Sequence, residues 1–478
     1  MKNSLNPLNY YFFLKLIPQT ISLILFGFTL NYYFLQDDFF HLLISEANNI
    51  HDLATFFLPR NDIIGYRPMT IEIYFFVARS LFGLNPIYFR VLIFAAFFLS
   101  FLFITKLSKQ ITQNKQSSLI AAFMWVTASF HFMALAWISA SYNIIGNLFY
   151  LISTVLFISY VKHKNNICYI LSLLIFIFAI LSFEFSITLP LMLIVYSCLI
   201  IKLKIKRVFW QVLPFLTMSL IYMLARLILK QTPNIEEYQP VVNIYSFKAL
   251  FWYFLWSLNV PEEFKNQVKN FFIILNPVYF SYFPKFIITC YISFISLFTL
   301  GIIVPLYLIL KKKLQYNINI IYFCLVWFVV TISPVLLLPK HSFLMYLTLP
   351  AVGIYILIGY LITCSKSRLL KTLIISIWTL SSFLIINFYK HTSYFPEAQM
   401  VAKIFSENVK TSLSGAPNNS VVLYNESNSA HIQALSDQNA IKIFTKKTSV
   451  NIYYNREKLI EAYSSGIIKP PIFILNLK

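Results

Sequence analysis

The amino-acid sequence predicts an all-α polytopic membrane bundle of about eleven transmembrane helices, followed by a small C-terminal α/β domain outside the membrane. Three observations carry this. Only 12% of the 478 residues are charged and 59% are hydrophobic, with a mean hydropathy of +0.71, where a soluble chain carries about a quarter charged residues. The apolar residues fall in runs long enough to cross about 30 Å of hydrocarbon. From residue 394 onward the composition turns polar. Inside a bilayer only helices and closed barrels satisfy every backbone group. Barrel strands alternate in polarity over about ten residues, whereas a stretch such as 170–180 carries no charge and no alternation.

The runs lie at 15–35, 86–105, 117–137, 141–161, 167–183, 185–203, 208–229, 286–310, 317–337, 343–363 and 370–389. The first is too long for a signal-peptide core and no small-residue cleavage site follows it, so it reads as a retained span. A stretch at 247–260 competes as a twelfth span, and charge decides against it. With the N-terminus inside, the cytoplasmic segments hold Lys2 and Lys15, then Lys106, Lys109 and Lys115, then Lys162 and Lys164, then Lys202, Lys204, Lys206 and Arg207, then Lys311, Lys312 and Lys313, and finally Lys366, Arg368 and Lys371. This follows the positive-inside rule. A twelfth span would move the triple lysine outside. Residues 230–285 are therefore expected to form a large outer loop with interfacial or re-entrant helices, and 36–85 a first outer loop with interfacial helices. All 17 acidic residues then lie outside.

The expected division is a transmembrane domain over 1–393 and an extracytoplasmic α/β domain over 394–478. In the latter, helices are predicted near 396–412 and 456–463 and strands at 421–424, 441–445 and 472–475. The expected location is a bacterial inner membrane, with the N-terminus cytoplasmic and the C-terminus outside.

The formal charge of +21 does not indicate nucleic acid, because the basic residues sit in short clusters between apolar runs. Part of the excess matches a chain rich in Lys, Asn, Ile, Phe and Tyr with only nine Gly, the composition of an AT-rich genome. Cys168, Cys198, Cys290, Cys324 and Cys364 lie in or beside spans without CxxC spacing and imply neither a disulfide framework nor a zinc site. There is no 20 to 50 residue repeat.

After the first span comes Leu35-Gln36-Asp37-Asp38-Phe39-Phe40-His41, opening a helix predicted to lie in the interface. Adjacent carboxylates push their pKa values apart, which suits one of them to act as a base. Equally, Asp is a good residue for a helix N-terminus. Arg67, in Tyr66-Arg67-Pro68-Met69-Thr70, and Arg90, at the head of the second span, are placed where a guanidinium could clamp a lipid-borne phosphate. The plainer alternative is snorkelling at a span end, which is preferred for Arg79. His131 precedes the turn Trp137-Ile138-Ser139, and a lone His there is more often a hydrogen-bonded packing residue. Glu184 is the only charge between Lys164 and Lys202; so costly a placement is a functional hypothesis by default, with Arg67 or Arg90 as partner. A last outer turn carries Lys340 and His341 near Tyr346, where a Lys is usually an anchor. Asp37, Asp38, His41, His51 and Asp52 offer hard ligands for a divalent metal, but their spacing matches no strong motif, so no obligatory cofactor is expected.

In this order the motifs resemble the GT-C glycosyltransferases, in particular the protein O-mannosyltransferase-like branch. The acidic pair of that family is matched by Asp37-Asp38, its aromatic-Arg-Pro-Leu-Thr element by Tyr66-Arg67-Pro68-Met69-Thr70, and its Phe-Gly-x-Asn/Asp-Pro turn by Phe82-Gly83-Leu84-Asn85-Pro86. Its Trp-Ile-Ser turn is matched by Trp137-Ile138-Ser139, its acidic and Leu-Pro element by Glu184 with Leu189-Pro190, and its late Tyr-Leu-x-Leu-Pro element by Tyr346-Leu347-Thr348-Leu349-Pro350. The chain departs from the pattern at His131-Phe132, where His-Pro is usual, and at Met345, where Arg is usual. It also lacks the tetratricopeptide array of some relatives.

The resemblance implies an integral-membrane inverting glycosyltransferase that moves a sugar from a polyprenyl-phosphate donor to an extracytoplasmic glycan, lipid or protein. It implies Asp38 or Asp37 as base, with Glu184 orienting the acceptor or Arg67. Arg67, then His341, Lys340 and Arg90, would bind the donor phosphate, and Tyr66, His131, Trp137 and Tyr346 would flank the acceptor. The competing readings are a lipid or solute transporter and a non-catalytic membrane protein of the same fold. Transporters place ionisable residues near the midplane on broken helices with related halves, whereas here the charges collect at one rim.

Overall fold

All eleven apolar runs are occupied by helix, but not by eleven equal spans. Among the described residues six helices are long and apolar enough to cross a membrane: Pro86–Thr112, Ile138–His163, Ile205–Ile228, Pro284–Leu310, Ile318–Leu336 and Arg368–Thr392. Four are shorter, Leu16–Asn31, Asn166–Ile180, Glu184–Ile200 and Ala351–Cys364. The run at 117–137 is divided into Lys115–Val126 and His131–Ala136. The chain is thus an all-α membrane bundle with a small α/β C-terminal unit. The computed structural model describes residues 7–478 apart from 61–62, 64, 229–237, 270–273, 276–280, 312–314, 414–419, 446–450, 469–471 and 476–478. Lys2, Lys312, Lys313 and parts of the 230–285 loop, which entered the expected topology, lie outside the described residues.

The helices are short where irregular backbone gathers, and buried side chains satisfy that backbone, as an apolar surrounding requires. Trp125 donates its indole N–H to the Thr348 carbonyl at 2.7 Å, and Trp327 donates to Leu349 at 3.1 Å. These bonds fix the unwound segment that carries Met345 and Tyr346. Asn259 accepts from the Ser129 amide and hydroxyl and donates to Ser381 and Ser382. It ties the end of the Ile244–Trp256 helix to the break after Val126. That helix has 13 residues, about 20 Å at 1.5 Å per residue, too short for a full crossing.

In the C-terminal unit three strands form a parallel sheet with Val421–Tyr424 at its centre, Asn451–Tyr453 on one side and Ile472–Leu475 on the other. Helices Tyr394–Ser412 and Arg456–Ser464 match the predicted positions. The strand predicted at 441–445 is instead the helix Asn439–Thr445. Its β-branched residues suggested a strand, but parallel neighbours need a crossover. This helix lies in that crossover, burying Ala440, Ile441 and Ile443 and setting Phe444 edge-on to Phe39. Strand Asn451–Tyr453, not expected from the sequence, completes the sheet.

The C-terminal unit packs directly on the chain around residues 33–36, where the segment 36–85 begins. The Gln36 amide donates to the Ala434 carbonyl at 2.7 Å, and the Tyr33 amide to Gln399 at 3.1 Å.

Candidate active site

The segment 36–85 reaches the bundle through its backbone. The Met69 amide donates to the Leu181 carbonyl at 3.1 Å, and the Thr70 hydroxyl to the Ser182 carbonyl at 2.9 Å. The two motifs are thereby docked in register, so that Arg67 Nε meets Glu184 Oε2 at 2.8 Å. Arg226 approaches the other oxygen at 3.3 Å. The Arg67 guanidinium lies over the Tyr142 ring, 3.8 Å from its centroid. Gly65 makes room for the pair: its φ is +90°, and a Cβ there would sit 2.5 Å from Glu184 Oε1. Among the described residues the two terminal nitrogens of Arg67 carry no protein partner.

Two cavities meet at this pair. One, of about 560 Å³, is lined by Asp37, His41, Trp137, Tyr142, Tyr394 and Gln433 among others. The second, of about 570 Å³, is largely apolar, with Ile187, Leu191, Val330, Val335 and Leu337 in its wall beside Glu184 and Arg226. Arg67, Tyr238, His341 and Tyr346 line both and form the partition. His341 Nε2 is 3.0 Å from the Tyr346 hydroxyl, and its ring packs on Tyr238 with centroids 4.3 Å apart.

The two adjacent carboxylates differ. Asp38 is fully buried; its Oδ1 accepts from the Ser139 amide at 2.7 Å and hydroxyl at 2.6 Å, and its Oδ2 from the Leu35 amide. Both oxygens of Asp38, one of the two candidate bases, are engaged by the Trp-Ile-Ser turn and by the approach to its own helix. Asp37 lines the cavity instead. Burial pushes its carboxyl up to about 6. The preceding Gln36 has φ 52° and ψ −126°, a conformation that costs a non-Gly residue about 1–3 kcal/mol; its bond to Ala434 helps to hold it.

Other expected site residues fall elsewhere. Arg90 is fully buried and donates to four carbonyls, of Tyr32, Leu135, Ala136 and Tyr33, at 2.9 to 3.0 Å. Four of its five donors are used in joining three segments, and it lines neither chamber. His131 is buried among the rings of Phe97, Trp125 and Phe130, with Nε2 2.9 Å from the Trp125 carbonyl. It is a packing residue and lines neither chamber. The Tyr66 hydroxyl donates to Phe57, and the residue faces a separate apolar groove. Lys340 lines neither chamber. His341 does, but burial first, and the Arg67 charge second, push it down to about 4. At neutral pH it is an uncharged hydrogen-bonding group, not the expected cation.

Trp137 and Tyr346 both line the site, and the Trp137 indole N–H makes no hydrogen bond to the described residues. Sequence reasoning missed Arg226, Tyr142, Tyr238, Tyr394 and Gln433. Arg226 carried a signal, since an Arg near the end of an apolar run needs a partner. The aromatic residues did not stand out among 31 Tyr and 49 Phe. Among the described residues no three His, Cys, Asp or Glu side chains converge as a metal site.

Fold and site together define an integral membrane protein with a two-chambered pocket at one end of its bundle. No family model and no curated protein matches the chain. Among solved structures it is similar to ArnT from Cupriavidus metallidurans bound to undecaprenyl phosphate, with TM-score 0.49 and 10% identity over 98% of this chain and 90% of that one. It is also similar to the archaeal oligosaccharyltransferase AglB from Archaeoglobus fulgidus in complex with an inhibitory peptide and a dolichol-phosphate. That match has TM-score 0.49 and 11% identity over 92% of this chain and 64% of the other.

Proposed function

We propose that this protein is a membrane glycosyltransferase that transfers a sugar, with inversion, from a polyprenyl-phosphate donor to an acceptor on the outer face of the membrane. The observation that carries this is the meeting of an apolar chamber and a carboxylate-bearing chamber at one arginine. A donor of this class has an apolar tail, a phosphate and a sugar in that order. The tail suits the chamber of Ile187, Leu191 and Val330, the phosphate suits Arg67, and the sugar would extend toward Asp37.

In the reaction, the Asp37 carboxylate accepts the proton of an acceptor hydroxyl or amine. The freed lone pair forms a bond to the anomeric carbon on the face opposite the phosphate. The bond from that carbon to the phosphate oxygen breaks, and its electron pair leaves with the polyprenyl phosphate. Arg67 faces the developing charge with two donors, and Arg226 adds a second positive charge nearby. Such preorganised cations are worth several kcal/mol of barrier in a site shielded from water. Glu184 holds Arg67 in place, His341 donates to or orients the phosphate as a neutral group, and Trp137, Tyr394 and Gln433 flank the acceptor. No step requires a nucleotide, since the sugar is already activated on its phosphate. The C-terminal unit lies outside in this reading, and the N-terminus in the cytoplasm of a bacterial cell.

The experiment is to offer purified protein a panel of polyprenyl-phosphate sugars with cell-envelope acceptors and to identify products by mass spectrometry. A glycoside of inverted anomeric configuration is expected with one of them. Movement of the lipid or a solute across vesicles, with no glycoside formed from any donor, would replace this reading with transport.

A further inference from the structure

A second, separate pocket lies at the other end of the bundle. The helices Pro86–Thr112 and Lys115–Val126 form a hairpin, and near its turn a groove of about 540 Å³ is lined by Lys106, Lys109 and Lys115 together with Leu102, Phe103 and Leu119. Leu102, Lys106 and Lys109 follow at i, i+4 and i+7 and so share one helix face. Lys115 and Leu119 face them at i and i+4. Each helix therefore places its leucine deeper in the bundle and its lysines at the rim.

No carboxylate of the hairpin offsets Lys106 or Lys109, because residues 73–183 contain neither Asp nor Glu. A further cation stands close by: Lys371 donates to Gln116, beside Lys115, at 2.9 Å. The groove opens on the outer surface of the bundle, where Leu99 and Leu102 are exposed. Lys106 lies sixteen residues beyond Arg90, about 24 Å along the helix at 1.5 Å per residue. That separates the groove from the two chambers and sets it at the opposite membrane surface.

We infer that this groove binds an anionic glycerophospholipid, its headgroup among the three lysines and an acyl chain along Leu102, Phe103 and Leu119. Basic pockets between membrane helices take such headgroups. The apolar floor and the position at the lipid-facing surface favour a lipid over a soluble phosphate. The two hydroxyls present, Thr105 and Ser118, are committed to the Phe101 and Lys115 carbonyls. Recognition is thus by charge, and the site separates anionic from zwitterionic lipids without distinguishing anionic headgroups. This inference stands apart from the proposed sugar transfer.

The test is native mass spectrometry of the full-length protein with phosphatidylglycerol and phosphatidylcholine. Phosphatidylglycerol should be retained about a hundredfold more, with roughly a fivefold loss of that preference for each lysine neutralised. The K106Q/K109Q/K115Q variant should show no preference, and K106R/K109R/K115R should keep it. If the triple glutamine variant does not fold, K109Q alone should still show its share of the loss. Equal retention of the two lipids by the unaltered protein, or a preference that survives neutralisation, overturns the inference. Displacement of phosphatidylglycerol by millimolar inorganic phosphate would overturn the lipid assignment in favour of a soluble anion.

Discussion

Asp37 and Asp38 are neighbours in the chain, yet one closes a turn and the other faces a cavity. The sequence shows that two carboxylates stand together at a membrane surface; it does not show which amides each will find. The same holds for the arginines. Arg67 and Arg90 look alike as cations at span ends, but four carbonyls exposed by breaks in neighbouring helices consume Arg90. What was legible was the set of costly residues, since Asp37, Arg67, Glu184, Trp137, His341 and Tyr346 do line the chambers. What was not legible was the backbone that would claim Asp38, Arg90 and His131.

The carboxyl of Asp37 also sets a pH dependence. Burial raises it from the ordinary 3.8 of a free aspartate to about 6, and the base must be ionised to accept a proton. Transfer should therefore be constant above about pH 6 and fall about tenfold for each unit below it, read from kcat/KM across about pH 4.5 to 8. His341, neutral down to about 4, adds no second limb in that range. An acid limb unchanged in D37N would assign it to another group.

At the scale of the element, the site is made where helices stop. The break after Val126, the turn before Leu189 and the unwound segment before Ala351 each give up helical hydrogen bonds. Trp125, Trp327 and Asn259 take over some of those groups. Hydropathy located these elements and could not shorten them, because a window of apolar residues looks the same with or without an interruption. Gly65 offers a test of how tightly the elements are fitted. Its positive φ, and the 2.5 Å that would separate an added Cβ from Glu184, predict that Gly65→Ala displaces Glu184 from Arg67. The donor KM should rise roughly tenfold, with a loss of about 1–3 kcal/mol in stability. Gly83 is the control. Its φ is +63° and a Cβ would meet nothing within 4 Å, so Gly83→Ala should carry the backbone cost and leave the donor KM unchanged.

At the scale of the whole molecule, the bundle separates two kinds of chemistry. One end holds the carboxylates, the Arg67 to Glu184 pair and the C-terminal unit; the other holds the lysine groove. Lysine placement made this asymmetry readable before any helix was located. The closure of the site by the C-terminal unit was not readable. Tyr394, Phe395 and Gln433 in the chamber wall come from a segment whose polar composition marked it only as lying outside the membrane. A separate domain and a lid over the pocket have the same hydropathy.

The most direct measurement is the rate of sugar transfer by D37N and R67A beside donor binding by each. D37N should bind a polyprenyl-phosphate sugar as the unaltered protein does and lose roughly 10² to 10⁴ in turnover, whereas R67A should lose donor binding as well as turnover. Transfer by D37N at the unaltered rate would contradict the central assignment, that of Asp37 as the base.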